Sequence, residues 1–175
     1  MNGGHLLPDL VIVPLNEAHD RQAFSCGVES LDRYLHSQAG QDARRLANGV
    51  FILAEPTSPE TVLGYYTLCA TALPPGDVPD AAKKHIPRYP LISATLMGRL
   101  AIAGSRQGQR LGAILLADAL RRTLASAATV GSSMVVVDAL DEDAAAFYGA
   151  HGFVRLPESL RLILPIRTLE RMMAP

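Results

Sequence analysis

The sequence predicts an α/β protein with a mixed central sheet of about six or seven strands flanked by helices. Short apolar runs bounded by turn residues alternate with segments whose apolar residues recur at helical spacing. Residues 134–138 form a nearly all-apolar run, which is typical of a strand covered on both faces. Near the end of the chain, Pro157-Glu158-Ser159 joins two further apolar runs, which predicts a final antiparallel strand pair.

The elements are predicted in the order strand, helix, three strands, helix, strand, helix and strand pair. Pro14 favours an edge or an end for the first strand, because proline cannot donate a ladder hydrogen bond. Ser30 is a candidate cap of the first helix, and Asn48-Gly49 supplies its left-handed stop. The predicted ranges, in chain order, are residues 10–15, 30 to 44–48, 50–54, 62–72, 91–103, 110 onward, 134–138, 142–150, 153–156 and 160–166.

Two segments carry further expectations. Residues 74–90 contain several prolines and are predicted to form a surface loop with one short helix. The helix that starts near Arg110 is expected to pack one face on the sheet and to carry an Asp118–Arg122 ion pair on its outer side. The predicted inner face consists of Ala113, Leu116, Ala117, Leu120 and Leu124.

Composition describes an ordinary globular chain of 175 residues, long enough for one domain, predicted over residues 1–175. The formal net charge of −1 argues against the overall basic character of many nucleic-acid-binding proteins, although a local basic patch can still bind RNA. Cys26 and Cys69 lack the spacing of a metal site or a disulfide framework, so we expect free thiols and no metal. Neither a signal-peptide pattern nor a membrane-length apolar run is found, so a cytoplasmic protein without membrane contact is expected.

A glycine-containing turn at residues 107–112 connects an apolar strand to a helix. The first N–H groups of a helix have no partner inside the helix, and the helix dipole is positive there. Such a turn can hold a phosphate, so a phosphorylated cofactor is the first hypothesis. On its own the pattern also fits a purely structural tight turn.

Two motifs together resemble the GNAT superfamily of acetyl-CoA-dependent N-acetyltransferases. One is Gln107-Gly-Gln-Arg-Leu-Gly112, similar to Arg/Gln-x-x-Gly-x-Gly/Ala, and the other is Phe147-Tyr148-x-x-x-Gly152-Phe153. The resemblance implies the GNAT fold and acetyl-CoA as co-substrate, held by the backbone of the turn and by the open edge of the preceding strand. The implied cofactor-binding residues are Leu100, Ala101, Ile102, Gln107, Gly108, Gln109, Arg110, Leu111, Gly112, Ala113, Asp141 and Phe147.

Two of these residues depart from the family pattern. Arg110 stands where the first glycine of the motif usually stands, so it either crowds the turn or adds a charge-assisted contact to phosphate, and we favour the contact. A solvent-facing arginine is the remaining alternative. Asp141 stands where many members have Asn, and it keeps the acceptor and the capping ability while losing the amide donor.

Tyr148 is the residue that the resemblance implies as general acid. When an amine attacks an acetyl thioester, coenzyme A leaves as a thiolate of pKa about 8.5, and a phenol of pKa about 10 can protonate it. Without the motif, a tyrosine on this Ala-rich helix would be interpreted as a packing residue. Residues 91–103 contain no carboxylate to serve as a strong base, so an α-amine of pKa about 7.7–8 is the favoured substrate.

The first half of the chain narrows the resemblance to the toxin GNAT proteins of bacteria that pair with ribbon-helix-helix antitoxins. The residues that carry it are 24–35, Gln38-Ala39, 41–45 and Gly98-Arg-Leu-Ala101. It implies aminoacyl-tRNA as substrate, arrest of translation, a ribbon-helix-helix antitoxin as partner and a homodimer. The candidates for contacts with tRNA phosphates are Arg44, Arg45, Lys83, Lys84 and Arg88, each of which is otherwise a solvated surface cation.

Two other functions remain open from sequence alone. The cofactor motifs fit equally well a GNAT enzyme that acetylates a small-molecule amine or a protein N-terminus. A non-enzymatic module that binds a partner in a repressor complex is the third hypothesis, and the intact Tyr148 motif argues against it.

Overall fold

A mixed sheet of seven strands flanked by helices forms the framework of the computed structural model, which describes residues 9–175. The strands are β1 (Val11–Pro14), β2 (Gly49–Ala54), β3 (Gly64–Leu73), β4 (Ile92–Ile102), β5 (Met134–Asp138), β6 (Val154–Arg155) and β7 (Arg161–Pro165). The helices are α1 (Glu29–Ser37), α2 (Ala39–Arg44), α3 (Leu111–Val130), α4 (Glu142–Ala150) and α5 (Ile166–Met173). The predicted fold class is therefore confirmed.

The strands follow one another across the sheet in the order β1-β2-β3-β4-β5-β7-β6. The ladder between β4 and β5 is parallel, whereas β1–β2, β5–β7 and β6–β7 are antiparallel. The last antiparallel pair confirms the strand pair predicted around Pro157-Glu158-Ser159, with Val154 opposite Ile163 and Arg155 opposite Leu162.

The described residues group into two compact units. The first contains the chain up to Thr67 and Arg99–Leu116, and the second contains Leu68–Gly98 and Ala117–Pro175. Strands β3 and β4 and helix α3 each contribute residues to both units. The expectation of one domain over residues 1–175 stays a prediction, and its first eight residues lie outside the described range.

Tyr65 is at the centre of the first unit's core. Its ring is fully buried, meets Phe24 edge-on at 5.6 Å between centroids and stacks on Tyr34 at 6.3 Å. The Tyr65 hydroxyl donates to the carbonyl of Leu31 at 2.7 Å, which satisfies its polar end. The Arg99 guanidinium lies 3.5 Å from the Tyr34 ring centroid, so an arginine of β4 covers the stacked aromatic pair through a cation–π contact.

The second unit's core is built around β5. Met134, Val135, Val136 and Val137 are all buried, as expected for a strand covered on both faces. One cluster packs Met134 and Val136 with residues of the neighbouring segments. Its other buried members are Leu73, Val78, Ala82, Ile92, Ala94, Leu156 and Ile163.

Helix α3 buries Leu116 and Leu120 as predicted, and Ala113 and Leu124 are half-buried, but one predicted member of this face is wrong. Ala117 is exposed, whereas Asp118 is buried, and Asp118 accepts from Arg122 Nε at 2.8 Å and from Arg121. The predicted ion pair between Asp118 and Arg122 is therefore present. The expectation that it lies on the outer side of the helix is wrong for Asp118, which is buried. A buried carboxylate needs such partners, because an unpaired charge in the core is strongly destabilising.

The first predicted helix is in fact two, because the chain breaks at Gln38 between α1 and α2. The Asp42 carboxylate accepts hydrogen bonds from Tyr34, Gln38 and Asn48, and these bonds hold the second helix against the first. Helix α1 begins after Val28 without a side-chain cap, so Ser30 is not the cap. The left-handed residue is Leu46, with φ of 58°, rather than Asn48-Gly49.

Two further expectations need correction. The proline-containing segment holds two short 3-10 helices, Pro75–Asp77 and Asp80–His85, rather than one helix. Helix α5 was not predicted, because the apolar run of the preceding strand obscures its start. Its buried residues Ile166 and Leu169 recur at the three-residue spacing of a helix. Cys26 and Cys69 are not joined in a disulfide.

Gly64 of β3 provides a test of packing in the first unit. A Cβ at this position would lie 2.8 Å from the Ala101 carbonyl oxygen and 2.8 Å from Ile102 Cδ1. We expect Gly64→Ala to lower the free energy of unfolding by about 1–3 kcal/mol, because overpacking forces backbone to move. The matched control is Gly76→Ala, whose Cβ would meet nothing within 4 Å. This substitution should change the free energy of unfolding by less than about 0.5 kcal/mol. Urea unfolding followed by circular dichroism measures both, and equal midpoints would contradict the packing argument.

Candidate active site

The turn before helix α3 presents open backbone. Gly108 and Arg110 have φ of 78° and 61°, and residues 107–110 are all exposed. A Cβ built on Gly108 would meet nothing within 4 Å, so a bulky ligand group can approach the backbone there. Leu111 then begins a helix of 20 residues, whose first-turn N–H groups lack partners within the helix. This arrangement fits a phosphate group.

The side chain of Gln107 anchors that turn. Its Nε2 donates to the carbonyl of Cys26 at 2.9 Å and to the carbonyl of Ile102 at 3.1 Å. One amide therefore connects the turn both to the end of β4 and to a segment much earlier in the chain. Of the implied cofactor-binding residues, Gln107 uses its side-chain nitrogen for the protein itself, which leaves its exposed backbone for a ligand.

Arg106 is a site residue that the sequence reasoning missed. Its Nη1 lies 2.7 Å from Glu55 Oε1, and its Nε donates to Gln109 Oε1 at 2.9 Å. It thus orders the side chain of Gln109 within the turn. A cation directly before a phosphate-binding pattern is the signal that was available, but an internal partner such as Glu55 is not recognisable from sequence.

Arg110 adopts the left-handed backbone that glycine would adopt most easily. An L-residue in this region costs roughly 1–2 kcal/mol compared with the right-handed region. Its side chain is exposed and forms no ion pair with any residue of the described chain. The guanidinium is therefore available for an anionic ligand.

The end of β4 lies beside the same turn. Ala101 is buried, and Leu100 and Ile102 are half-buried. The parallel ladder with β5 joins Thr95, Leu96 and Met97 to Val135, Val136 and Val137, so residues 100–102 lie beyond it along the strand. The Ala103 N–H donates to the carbonyl of Leu63 at 2.8 Å, which holds this end of the strand on the β3 side.

Helix α4, in the second unit, carries the remaining residues that the resemblance implies. Asp141 caps it, with Oδ1 accepting from the Ala144 N–H at 2.8 Å, so the predicted capping ability is used. Phe147 lies next to His151, whose Nδ1 is 2.7 Å from the Phe147 carbonyl oxygen. Gly152, with φ of 95°, follows the helix and reverses the chain.

Tyr148 is buried, with 7% of its surface exposed. Its ring lies between Phe147 and Phe153, with centroid distances of 5.3 and 5.6 Å in edge-on contacts. Burial raises the pKa of Tyr148 to about 12. The phenol is consequently protonated throughout the physiological pH range and is available as a proton donor.

The candidate tRNA-contacting cations are exposed in both units. Arg44 and Arg45 are at the end of α2 in the first unit, and Lys83, Lys84 and Arg88 are in the second. Lys83 Nζ lies 3.3 Å from Asp80 Oδ1, an exposed pair that contributes little to stability.

Two features are absent from residues 9–175. No cluster of three or more His, Cys, Asp or Glu side chains there could hold a metal ion. None of the helices in this range is both long and apolar enough to cross a membrane.

Comparison with known proteins identifies relatives along nearly the whole chain, although no protein-family model matches it. A Sinorhizobium fredii protein named "Probable toxin TacT" is 29% identical over 172 residues, which cover 93% of this chain and 94% of that protein. A "tRNA-acetylating toxin" of Mycobacterium tuberculosis is 30% identical over 151 residues, covering 86% of this chain and 88% of that protein.

Solved structures agree with these relatives. AtaT complexed with acetyl-methionyl-tRNAfMet has a TM-score of 0.86 at 34% identity, covering 95% of this chain and all of that one. AtaTR bound with AcCoA has a TM-score of 0.83 at 34% identity, covering 95% of this chain and 99% of that one. Other matched structures include the AtaT–AtaR complex bound to DNA and tyrosine-to-phenylalanine mutants of AtaT and KacT. The tRNA-acetylating toxin is 30% identical to this chain over most of its length, and AtaT has the same fold. The chain therefore belongs to the GNAT toxins of toxin–antitoxin systems.

Proposed function

We propose that the protein transfers the acetyl group of acetyl-CoA to the α-amino group of an aminoacyl-tRNA and so arrests translation as the toxin of a toxin–antitoxin system. The observation that carries this proposal is the similarity, over nearly the full chain, to a tRNA-acetylating toxin and to AtaT in complex with acetyl-methionyl-tRNAfMet. The geometry of the turn and the environment of Tyr148 support the chemistry.

The turn and the end of β4 would hold acetyl-CoA. Backbone N–H groups from Gly108 to Ala113 contact the pyrophosphate, with open space at Gly108 to admit it. The exposed guanidinium of Arg110 adds a charge-assisted hydrogen bond. The backbone of Leu100–Ile102, beyond the β4–β5 ladder, contacts the pantetheine arm in the manner of an added strand. Asp141 contributes by capping α4, and Phe147 by packing beside Tyr148.

Tyr148 is the proposed general acid. Bound acetyl-CoA supplies the thioester carbonyl that the amine attacks. As the N–C bond forms and the C–S bond breaks, Tyr148 donates its phenolic proton to the sulfur, and the phenolate regains the proton that the amine releases. The amino acid sequence of β4 contains no carboxylate, so an amine that is substantially neutral near pH 7–8, such as the α-amine of an aminoacyl ester, is the substrate that fits.

The exposed cations Arg44, Arg45, Lys83, Lys84 and Arg88 are proposed to contact tRNA phosphates. The matched AtaT–AtaR and KacTA complexes support an antitoxin partner, which we propose to be of the ribbon-helix-helix class. We further propose that the protein is a homodimer and acts in the cytoplasm. Light scattering of the purified protein measures its mass in solution and so tests the dimer.

The Tyr148→Phe variant tests the catalytic assignment. We expect acetylation of a total charged-tRNA pool by labelled acetyl-CoA to fall by about 10²–10⁴-fold, the usual contribution of a general acid. Growth arrest on expression without antitoxin should be relieved. The variant should keep the wild-type melting temperature, because it removes one hydroxyl and leaves the contacts of the ring with Phe147 and Phe153 in place. A fully active, well-folded variant would refute the assignment, and labelled product on peptides or small amines alone would refute tRNA as the substrate.

The pH dependence of kcat/KM follows from the same groups. Because the pKa of Tyr148 is about 12, the acid is protonated below that pH, and the rate should rise only with deprotonation of the amine, near pH 7.7–8. We expect a plateau from about pH 9 with no decline before about pH 10.5, in initial rates corrected for hydrolysis of the aminoacyl ester. A descending limb near pH 9 in the wild type that Tyr148→Phe lacks would contradict the environment of this phenol.

Two substitutions of Arg110 distinguish the effect of its charge from the effect of its left-handed backbone conformation. Arg110→Gln removes the charge and keeps an L-residue at positive φ, and we expect the KM for acetyl-CoA to rise about three- to tenfold. Arg110→Gly removes the same charge but relieves the left-handed backbone, so it should raise the KM equally while unfolding at a higher temperature. Unchanged KM values in both variants would show that the guanidinium makes no contact with the coenzyme.

A further inference from the structure

A cavity of about 430 Å³ in the second unit takes no part in the acetyl transfer described above, although two of the proposed tRNA-contacting cations line it. Its lining includes Lys83, Ile86, Pro87, Arg88 and Tyr89. The volume is within the range of about 300–1,000 Å³ that is typical of small-molecule sites. Tyr89 is 65% exposed, which is high for a large aromatic side chain. An exposed ring beside a cavity offers a flat surface for a stacking partner.

The floor of this cavity is held in place by the core. Ile92 is buried in the second unit's cluster together with Val78 and Ala82, and Ile86 packs against the same cluster. The segment that carries Tyr89 is therefore anchored on its inner side. Its outer side presents the aromatic ring and the charged residues to solvent.

The charge around the cavity is positive. Lys83 and Arg88 line it, Lys84 is exposed beside them, and no acidic side chain is among the lining residues. Asp80 faces Lys83 at 3.3 Å, but with the Asp80 side chain 99% exposed this pair is weak enough to exchange for another anion. Cations next to an exposed aromatic ring suit a ligand that carries both a phosphate and a planar base.

We propose that this cavity binds one unpaired nucleotide, whose base stacks on Tyr89 and whose phosphate contacts Arg88 and Lys83. The inference rests on the proposed function for the identity of that nucleotide, which we assign to the single-stranded 3′ end of the aminoacyl-tRNA. A base inside a double helix is already stacked on its neighbours, whereas the bases of the single-stranded aminoacylated end of tRNA are free to stack on a side chain. The adenine nucleotide of acetyl-CoA has the same chemistry and is the alternative source.

Steady-state kinetics with Tyr89→Ala and Tyr89→Phe test the proposal. Loss of the ring should raise the KM for aminoacyl-tRNA about tenfold, because stacking on one aromatic side chain accounts for a change of this order. Tyr89→Phe keeps the ring and should match the wild type. The KM for acetyl-CoA and the melting temperature should be unchanged in both variants, since the side chain is mostly exposed.

The outcomes separate this inference from the proposed function. If the wild type acetylates tRNA and Tyr89→Ala has the same KM for it, the nucleotide site is refuted and the proposed function stands. If Tyr89→Ala changes only the KM for acetyl-CoA, the assignment to tRNA is likewise refuted.

Direct binding covers the case in which the wild type does not acetylate tRNA at all. Fluorescence anisotropy measures the Kd for a short single-stranded RNA ending in CCA-3′, with the same RNA in a fully paired duplex as control. A Kd for the single strand that rises about tenfold in Tyr89→Ala, with no change for the duplex, supports the site even if the proposed function fails. Equal affinity of the wild type and Tyr89→Ala for the single strand overturns it.

Discussion

The amide of Gln107 is the interaction on which the proposed acetyl-CoA site depends most directly. It joins the turn to the Ile102 carbonyl at the end of β4 and to the Cys26 carbonyl, which belongs to a segment much earlier in the chain. With the turn held in this way, Gly108 and Arg110 can keep left-handed backbone conformations and expose their N–H groups at the start of α3. A more flexible turn would have to become ordered when acetyl-CoA binds, and the resulting loss of conformational entropy would weaken the affinity for acetyl-CoA.

Tyr148 illustrates how packing decides which chemistry a side chain can perform. Two neighbouring aromatic rings exclude water from the phenol, and the pKa of about 12 makes it a more reluctant donor than tyrosine in water. A thiol of pKa about 8.5 in water is a poor match for such an acid. Proton donation therefore becomes favourable only as negative charge develops on sulfur in surroundings that are equally dry, which would couple protonation to bond cleavage.

Much of the fold was predictable because local pattern and tertiary environment agree. Strand β5 and helix α4 have the predicted limits, since an apolar run covered on both faces and a capped, glycine-terminated helix are specified by nearby residues. The break at Gln38 and the burial of Asp118 were not predictable, since both depend on partners brought together by folding. The motif likewise identifies the turn and Tyr148 as candidates. The internal hydrogen bond of Gln107 and the ion pair of Arg106 with Glu55 join residues far apart in sequence, so no local pattern predicts them.

The hydrogen bond between Gln107 and Cys26 also limits how early the acetyl-CoA site can form while the chain is being synthesised. Gln107 and Cys26 are 81 residues apart in sequence, so their hydrogen bond closes a long loop that carries a substantial entropic cost. Contacts of such separation form late relative to local helices and hairpins. The turn therefore cannot take its anchored form before residue 107 has left the ribosome, so the nascent chain lacks this site for most of elongation.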